Sequence, residues 1–240
     1  MKIKDLLDLL NTRYPFEDAE QWDNTGLLLG SEEDETNNIY VSLDLTSKGI
    51  EFVPEGSTII THHPLIFSPL KEINFDSYEG KLIKMLIKKD ITYIALHTNY
   101  DKHFLNQYFI ETILKKEINK KQGFLDYFYT QETTLGEFRF ELSEKMNCTR
   151  RELKLVGNIE NKIRKVAVCT GSASSEMREA KANGADLLLT GDITYHTAME
   201  ALEIGISLID ITHFHSEKWF GTDLTRDLGY IKLDQENPFK

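Results

Sequence analysis

The chain is short of cysteine, of positive charge and of long apolar runs. Two cysteines, Cys148 and Cys169, stand alone in 240 residues. Neither belongs to a CxxC pair, and two cysteines make no disulfide framework, a usage that fits a reducing cytoplasm. Lysine and arginine number 28 against 39 acidic residues, for a formal net charge of −11. That balance excludes a general nucleic-acid-coating role, because non-specific binding needs a basic surface to displace phosphate counterions; a local basic patch can still bind an anion. No segment approaches the roughly 18 apolar residues of a membrane helix, and Asp5 and Asp8 break the amino-terminal stretch where a signal peptide is continuously apolar. The motifs GxxxxGK[ST], GxGxxG, GxSxG and HExxH are all missing, which leaves P-loop, dinucleotide-fold, serine-hydrolase and zincin chemistry without their signatures.

What is present reads as a globular α/β protein. Hydrophobic residues make up 40% and charged residues 28%, enough for one large domain or two modest ones. Ile3, Leu6, Leu7 and Leu10 share one face at helical spacing. The cluster Gln21–Gly26, ahead of a short strand at Leu27–Gly30, reads first as a structural turn in which Trp22 packs, and second as a lining of the site with Asp23 or Asn24 reaching a backbone or a ligand. Strands follow at 39–43, 58–60 and 92–96, with an amphipathic helix at 79–89 between the last two, a β-α-β order that implies parallel pairing. Its lysines, Lys81, Lys84, Lys88 and Lys89, read as a solvated face. The same order returns at 166–169, 174–183, 186–189, 198–204 and 207–211, a weak internal βαβαβ duplication. Between the copies, 109–121 reads as an amphipathic helix, and Thr134–Glu137 resembles a capping box opening a helix to about Met146. The best boundary falls at 120–123. The expected domains are therefore a first lobe, 1–121, and a second, 122–240, whose carboxyl-terminal part packs back on the first.

The seven histidines are unevenly placed. His62 and His63, His97 and His103, His196, and His213 and His215 each follow the carboxyl end of an expected parallel strand, where open α/β sheets place ligands. In Thr61-His62-His63-Pro64 the two imidazoles either serve one ion each or divide into a ligand and a hydrogen-bond partner. His97 with Asp101, and His213 with Glu217, share a His-x3-acid spacing that converges if the segment turns helical. Divalent transition metals take such mixtures of imidazole and carboxylate. His196, in Thr190-Gly191-Asp192-Ile193-Thr194-Tyr195-His196, is either a substrate contact or a first-turn helix residue. His103 and His215 have no matched position. Because His62, His63, His97 and Asp101 lie in one half and His213 and Glu217 in the other, a metal site joining two lobes is the economical expectation.

The segments QWDNTGLLLG, VSLDLT, THHPLIF, ALHTNYD, TGDITYH and IDITHFHSE, in that order over about residues 1–230, resemble the Nif-three family (NGG-one interacting factor three), whose bacterial members are often labelled GTP cyclohydrolase I type 2. The resemblance implies a cytoplasmic protein of two interleaved α/β lobes, assembled as a toroidal homohexamer around a dinuclear metal centre. It further implies His62, His63, Asp101, His213 and Glu217 as ligands of two divalent ions, with Zn, Mn, Fe, Co and Ni all compatible. His97 and His196 match motif positions near the family's site, and one or the other is the expected proton shuttle. The implied reaction is hydrolytic opening of the guanine imidazole ring of GTP with formate release. The alternatives are a metal-dependent phosphoester hydrolase, or a metal-binding ring that acts through a protein or nucleic-acid partner without turnover. The family usually carries glycine where Thr212 stands, a departure expected to shift the backbone near His213. Gly171-Ser172-Ala173 lacks the second glycine of the usual GSG, and QGFLDYFYTQETT replaces a Gly-rich segment.

Overall fold

The computed structural model describes residues 1–239. It is a mixed α/β protein with two sheets, and it divides into a first unit, residues 1–103 and 220–240, and a second, residues 104–219.

The first unit runs α1 (Ile3–Arg13), β1 (Gly26–Leu29), β2 (Ile39–Ser42), α2 (Ser47–Phe52), β3 (Thr58–Thr61), α3 (Tyr78–Lys88), β4 (Thr92–Ala95) and α4 (Thr98–Tyr100). β2, β3 and β4 pair in parallel, and β1 lies antiparallel on β4. All four residues of each parallel strand are buried, as a sheet covered on both faces requires. Tyr40, Ile59 and Tyr93 pack with Ile50 of α2 and Leu82 and Leu86 of α3, while Val41, Ile60 and Ile94, alternating with them, are buried on the opposite face. Ser77 caps α3 by accepting from Gly80 N. The lysine face stays outside the core, with two local uses. Lys84 Nζ lies 4.7 Å from the Phe75 ring centroid, and Lys89 Nζ donates to the Ile50, Glu51 and Val53 carbonyls at the end of α2.

The second unit opens with π-helical turns at Tyr108–Ile113, then β5 (Lys120–Gln122), β6 (Leu125–Thr134), α5 (Leu135–Met146), β7 (Lys154–Val156), β8 (Lys162–Val168), α6 (Met177–Ala182), β9 (Leu187–Thr190), α7 (Tyr195–Ile204), β10 (Ser207–Asp210) and α8 (His213–Glu217). β8, β9 and β10 are parallel, flanked by antiparallel β6 and β7, with β5 outermost on β6. Val166, Leu187 and Ile209 face Phe138 and Leu142 of α5; Ala167, Leu188 and Leu208 face Met177 and Ala201 of α6 and α7. That is a three-layer sandwich, and the Thr134–Glu137 capping box forms as expected. The chain then returns to the first unit through α9 (Thr222–Leu228) and β11 (Ile231–Lys232), which pairs in parallel with β2.

Two expectations need correction. The division falls at 103/104 and at 219/220, where the sequence placed it near 121/122. The reason is packing: Phe109, Ile110 and Leu114 are core residues of the second unit. The helix expected at 109–121 ends at Ile113, because 120–122 pair with β6 instead. Among the described residues no helix is long and apolar enough to cross a membrane.

Candidate metal centre

In the first unit β2, β3 and β4 end in register, with Ser42, Thr61 and Ala95 aligned. The residues that follow therefore emerge side by side at the carboxyl edge of the sheet. His62 is fully buried, and its Nδ1 lies 2.9 Å from the Leu96 carbonyl. A carbonyl only accepts, so the proton sits on Nδ1 and the Nε2 lone pair is presented. His63 Nδ1 donates to Asp44 Oδ1 at 2.7 Å. Gln235 steadies that carboxylate by donating to Asp44 Oδ2 at 2.8 Å and accepting from Asp44 N at 2.9 Å. His97 Nδ1 donates to Asp23 Oδ1 at 2.8 Å. Three imidazoles thus share one tautomer, and ring nitrogens of the three gather within 4.8 Å of one another.

Asp101 completes this group in an unexpected way. The His97–Asp101 spacing does not converge: no hydrogen bond or ion pair joins their side chains among the described residues. Instead Asp101 Oδ1 sits 3.3 Å from His62 Nε2. That oxygen is buried and accepts no hydrogen bond among the described residues. An imidazole lone pair and a carboxylate oxygen held this close repel, and a shared cation at ordinary ligand distances of about 2.0–2.2 Å relieves the repulsion. The residues fit a divalent ion on this ground.

In the second unit the expected convergence does occur. His213 opens α8, and its Nε2 lies 3.0 Å from Glu217 Oε2, while its Nδ1 lies 2.6 Å from Asp192 Oδ2. Burial alone would lower the pKa of His213, but Glu217 and Asp192 outweigh it and lift the group to about 9. This corner attracts cations. Two glycines make room for it: a Cβ on Gly171 would stand 2.3 Å from Glu217 Oε1, and one on Gly191 2.8 Å from His213 N. At Thr212 the departure from glycine leaves α8 starting at His213, because Thr212 itself takes the glycine-type backbone, φ 58° and ψ 146°. Such a conformation strains a β-branched residue, and the strain is offset by Thr212 N–H donating to Asp210 Oδ1 and by Oγ1 accepting from His215 N.

The other sequence candidates lie apart. His196 is an exposed first-turn residue of α7, its ring on Tyr195 at 5.6 Å. His103 pairs with Asp18 at the surface, and buried His215 bonds to Thr212 Oγ1 at 2.9 Å. Trp22 does not pack into a core: it is 58% exposed, because the turn is held by Asp23 and leaves the indole against Phe67 and His97. Sequence reasoning missed Asp44, Asp192 and Gln235. The first two each follow a parallel strand, the same signal that found the histidines.

Fold and donors together define an α/β protein with histidine and carboxylate groups, set at the carboxyl ends of parallel strands, that can hold metal. The chain belongs to the Duf34/NIF3 (NGG1p interacting factor 3) family, matching it over residues 1–237. It is 38% identical to the GTP cyclohydrolase 1 type 2 homolog of Campylobacter jejuni, covering 100% of this chain and 99% of that one. Identity is 39% to the GTP cyclohydrolase 1 type 2 of Helicobacter pylori, over 91% of this chain and 88% of that protein. Among solved structures, Staphylococcus aureus hypothetical protein SA1388 superposes with a TM-score of 0.86 at 28% identity, covering 100% and 99% of the two chains.

Proposed function

We propose that this protein is a metal-dependent hydrolase of the GTP cyclohydrolase 1 type 2 kind, opening the guanine imidazole ring of GTP and releasing formate. His62, His63, Asp101, His213 and Glu217 are the ligands of two divalent ions. The observation that carries the reading is the approach of His62 Nε2 and Asp101 Oδ1 to 3.3 Å, with that oxygen buried and accepting no hydrogen bond among the described residues. The names of the Campylobacter and Helicobacter relatives support the substrate.

Divalent ions bound there supply Lewis acidity. The chain's residues do the rest. The Leu96 carbonyl, Asp44 and Asp192 hold the Nδ1 atoms of His62, His63 and His213, fixing ring orientation as outer partners of metal-binding histidines do. His97, whose Nδ1 is held by Asp23, carries the proton that the ring-opening water gives up. The chain works in the cytoplasm as a homohexamer.

The test is metal content of protein purified without chelators, with formate release from GTP by wild type and Glu217→Ala. About two ions per chain with Glu217-dependent turnover is the expected result. Bound metal without turnover moves the reading to a phosphoester substrate or to a binding role, and less than one ion after reconstitution overturns the dinuclear centre.

A further inference from the structure

The Asp23 side chain is fully buried, in the turn that the sequence also offered as a lining of the site. Four donors converge on its carboxylate. His97 Nδ1 reaches Oδ1 at 2.8 Å and Asn24 N reaches the same oxygen at 2.8 Å; Thr98 N and Oγ1 reach Oδ2 at 3.0 and 2.5 Å. Its loop is anchored on both sides, by Glu20 N donating to Thr98 Oγ1 and Asn24 Nδ2 donating to the Ile66 carbonyl. A loop clamp needs only the bonds to Asn24 and Thr98. The bond to His97 does something else, because it is made by the ring that stands beside the proposed ligands, 5.0 Å from His62 and 5.6 Å from His63 by centroids. Trp22 and Phe67 stand edge-on to the same ring at 6.2 and 6.4 Å, so the imidazole is hemmed on several sides.

We infer that Asp23 is a positioning residue: it holds His97 as the Nδ1–H tautomer, with the Nε2 lone pair directed at the histidine group, so that the pair works as a fixed dyad. The inference rests on the hydrolase reading for what His97 then does, but the tautomer stands independently of it. An ionised carboxylate accepts and cannot donate, so it selects the tautomer. Burial of Asp23 works against its ionisation, yet the hydrogen bonds from His97 and Thr98 hold its carboxyl at about 2. An asparagine in its place can present either its oxygen or its amide, and the selection is lost.

The experiment has two arms. Nitrogen-15 NMR of the imidazoles in metal-free full-length protein, with His97 assigned by difference from His97→Gln, is expected to show the Nδ1–H tautomer in wild type and a mixture in Asp23→Asn. A wild-type His97 in the Nε2–H form overturns the inference with no variant needed, as does an unchanged tautomer in a folded Asp23→Asn. In the second arm, the zinc-reconstituted full chain is assayed with GTP. Asp23→Asn is expected to lower kcat about 10²-fold with KM within about threefold and zinc content unchanged, and Asp23→Asn/His97→Gln to be no slower than His97→Gln. Parallel loss of zinc and KM would make Asp23 a structural clamp and overturn the inference. If wild type turns over no GTP, the hydrolase reading fails alone, and the NMR arm still decides the dyad.

Discussion

After the third parallel strand of each unit the histidines stand one residue out of step with the helix that follows, and the offset changes the chemistry. After β4, His97 stands at the N-cap of α4, with φ −121° and ψ −108°; after β10, Thr212 stands at the N-cap of α8 and His213 is the first helical residue. Both units carry a histidine and an acid four residues later. In the second unit that acid, Glu217, meets His213 at 3.0 Å, because both lie on one helical face. In the first unit the histidine precedes the helix, so Asp101 turns to His62 and His97 takes Asp23 from a distant loop. Equal spacing gives equal pairing only when both residues are inside the helix.

The sharpest way to break this comparison is at Gly171. The second unit needs a glycine there, at φ 71° and against Glu217, whereas the first unit places Asp44 after its corresponding strand. Gly171→Ala should cost roughly 2–4 kcal/mol from backbone strain and overpacking together, read by urea unfolding; a cost below about 0.5 kcal/mol, within the ordinary range of surface substitutions, would show that Glu217 has room to move.

Next come the carboxylates on the histidines. Asp44 is held at both ends by Gln235, while Asp192 is half-exposed at φ 55°. Calorimetric zinc titration should show Asp44→Ala weakening affinity about 10–100-fold, with Asp192→Ala at the lower end. The reverse order would mean that the less constrained carboxylate does more to hold its ring.

Asp126, on β6 of the second unit, is pushed up to about 6 by burial, with Lys121 pulling the other way. A raised carboxyl contributes stability that is complete below about pH 4 and is lost as pH rises through about 6. Asp126→Asn should therefore stabilise the protein at pH 8 by up to about 2 kcal/mol and change little below about pH 4, as denaturant midpoints across pH will show. Equal effects at both pH values would assign the change to packing.

The smallest expected effect is at Thr212. Thr212→Gly relieves a conformation worth about 1–3 kcal/mol and loses a cap for which glycine substitutes at a few tenths, so a net gain of about 1 kcal/mol is expected from thermal unfolding. Loss of stability would place the strain elsewhere.

Much of this was legible beforehand. Buried parallel strands announce themselves as short apolar runs, and amphipathic helices as stripes, so β2, β3, β4, β8, β9 and β10 and helices α1, α3, α5 and α7 were all expected near where they lie. The segment 109–121 was misread because Phe109, Ile110 and Leu114 satisfy a helical stripe whether or not the helix continues, and pairing with β6 decides that it stops. The turn at Trp22 was expected with the indole packed in it, yet the polar bonds of Asp23 and Asn24 fix that turn and leave the indole 58% exposed. Asp44 and Asp192 lie 19 and 21 residues from the histidines they hold, so no local spacing links them.

Local pattern and residue chemistry are enough to show which residues can ligate, where the strands end and which family the chain resembles. The fold sets the pairings: His62 with Asp101, His63 with Asp44, His97 with Asp23, and His213 with Asp192. The acid beside each imidazole lies from 19 to 74 residues away in the chain, and the direction of each imidazole nitrogen depends on which acceptor the fold places beside it.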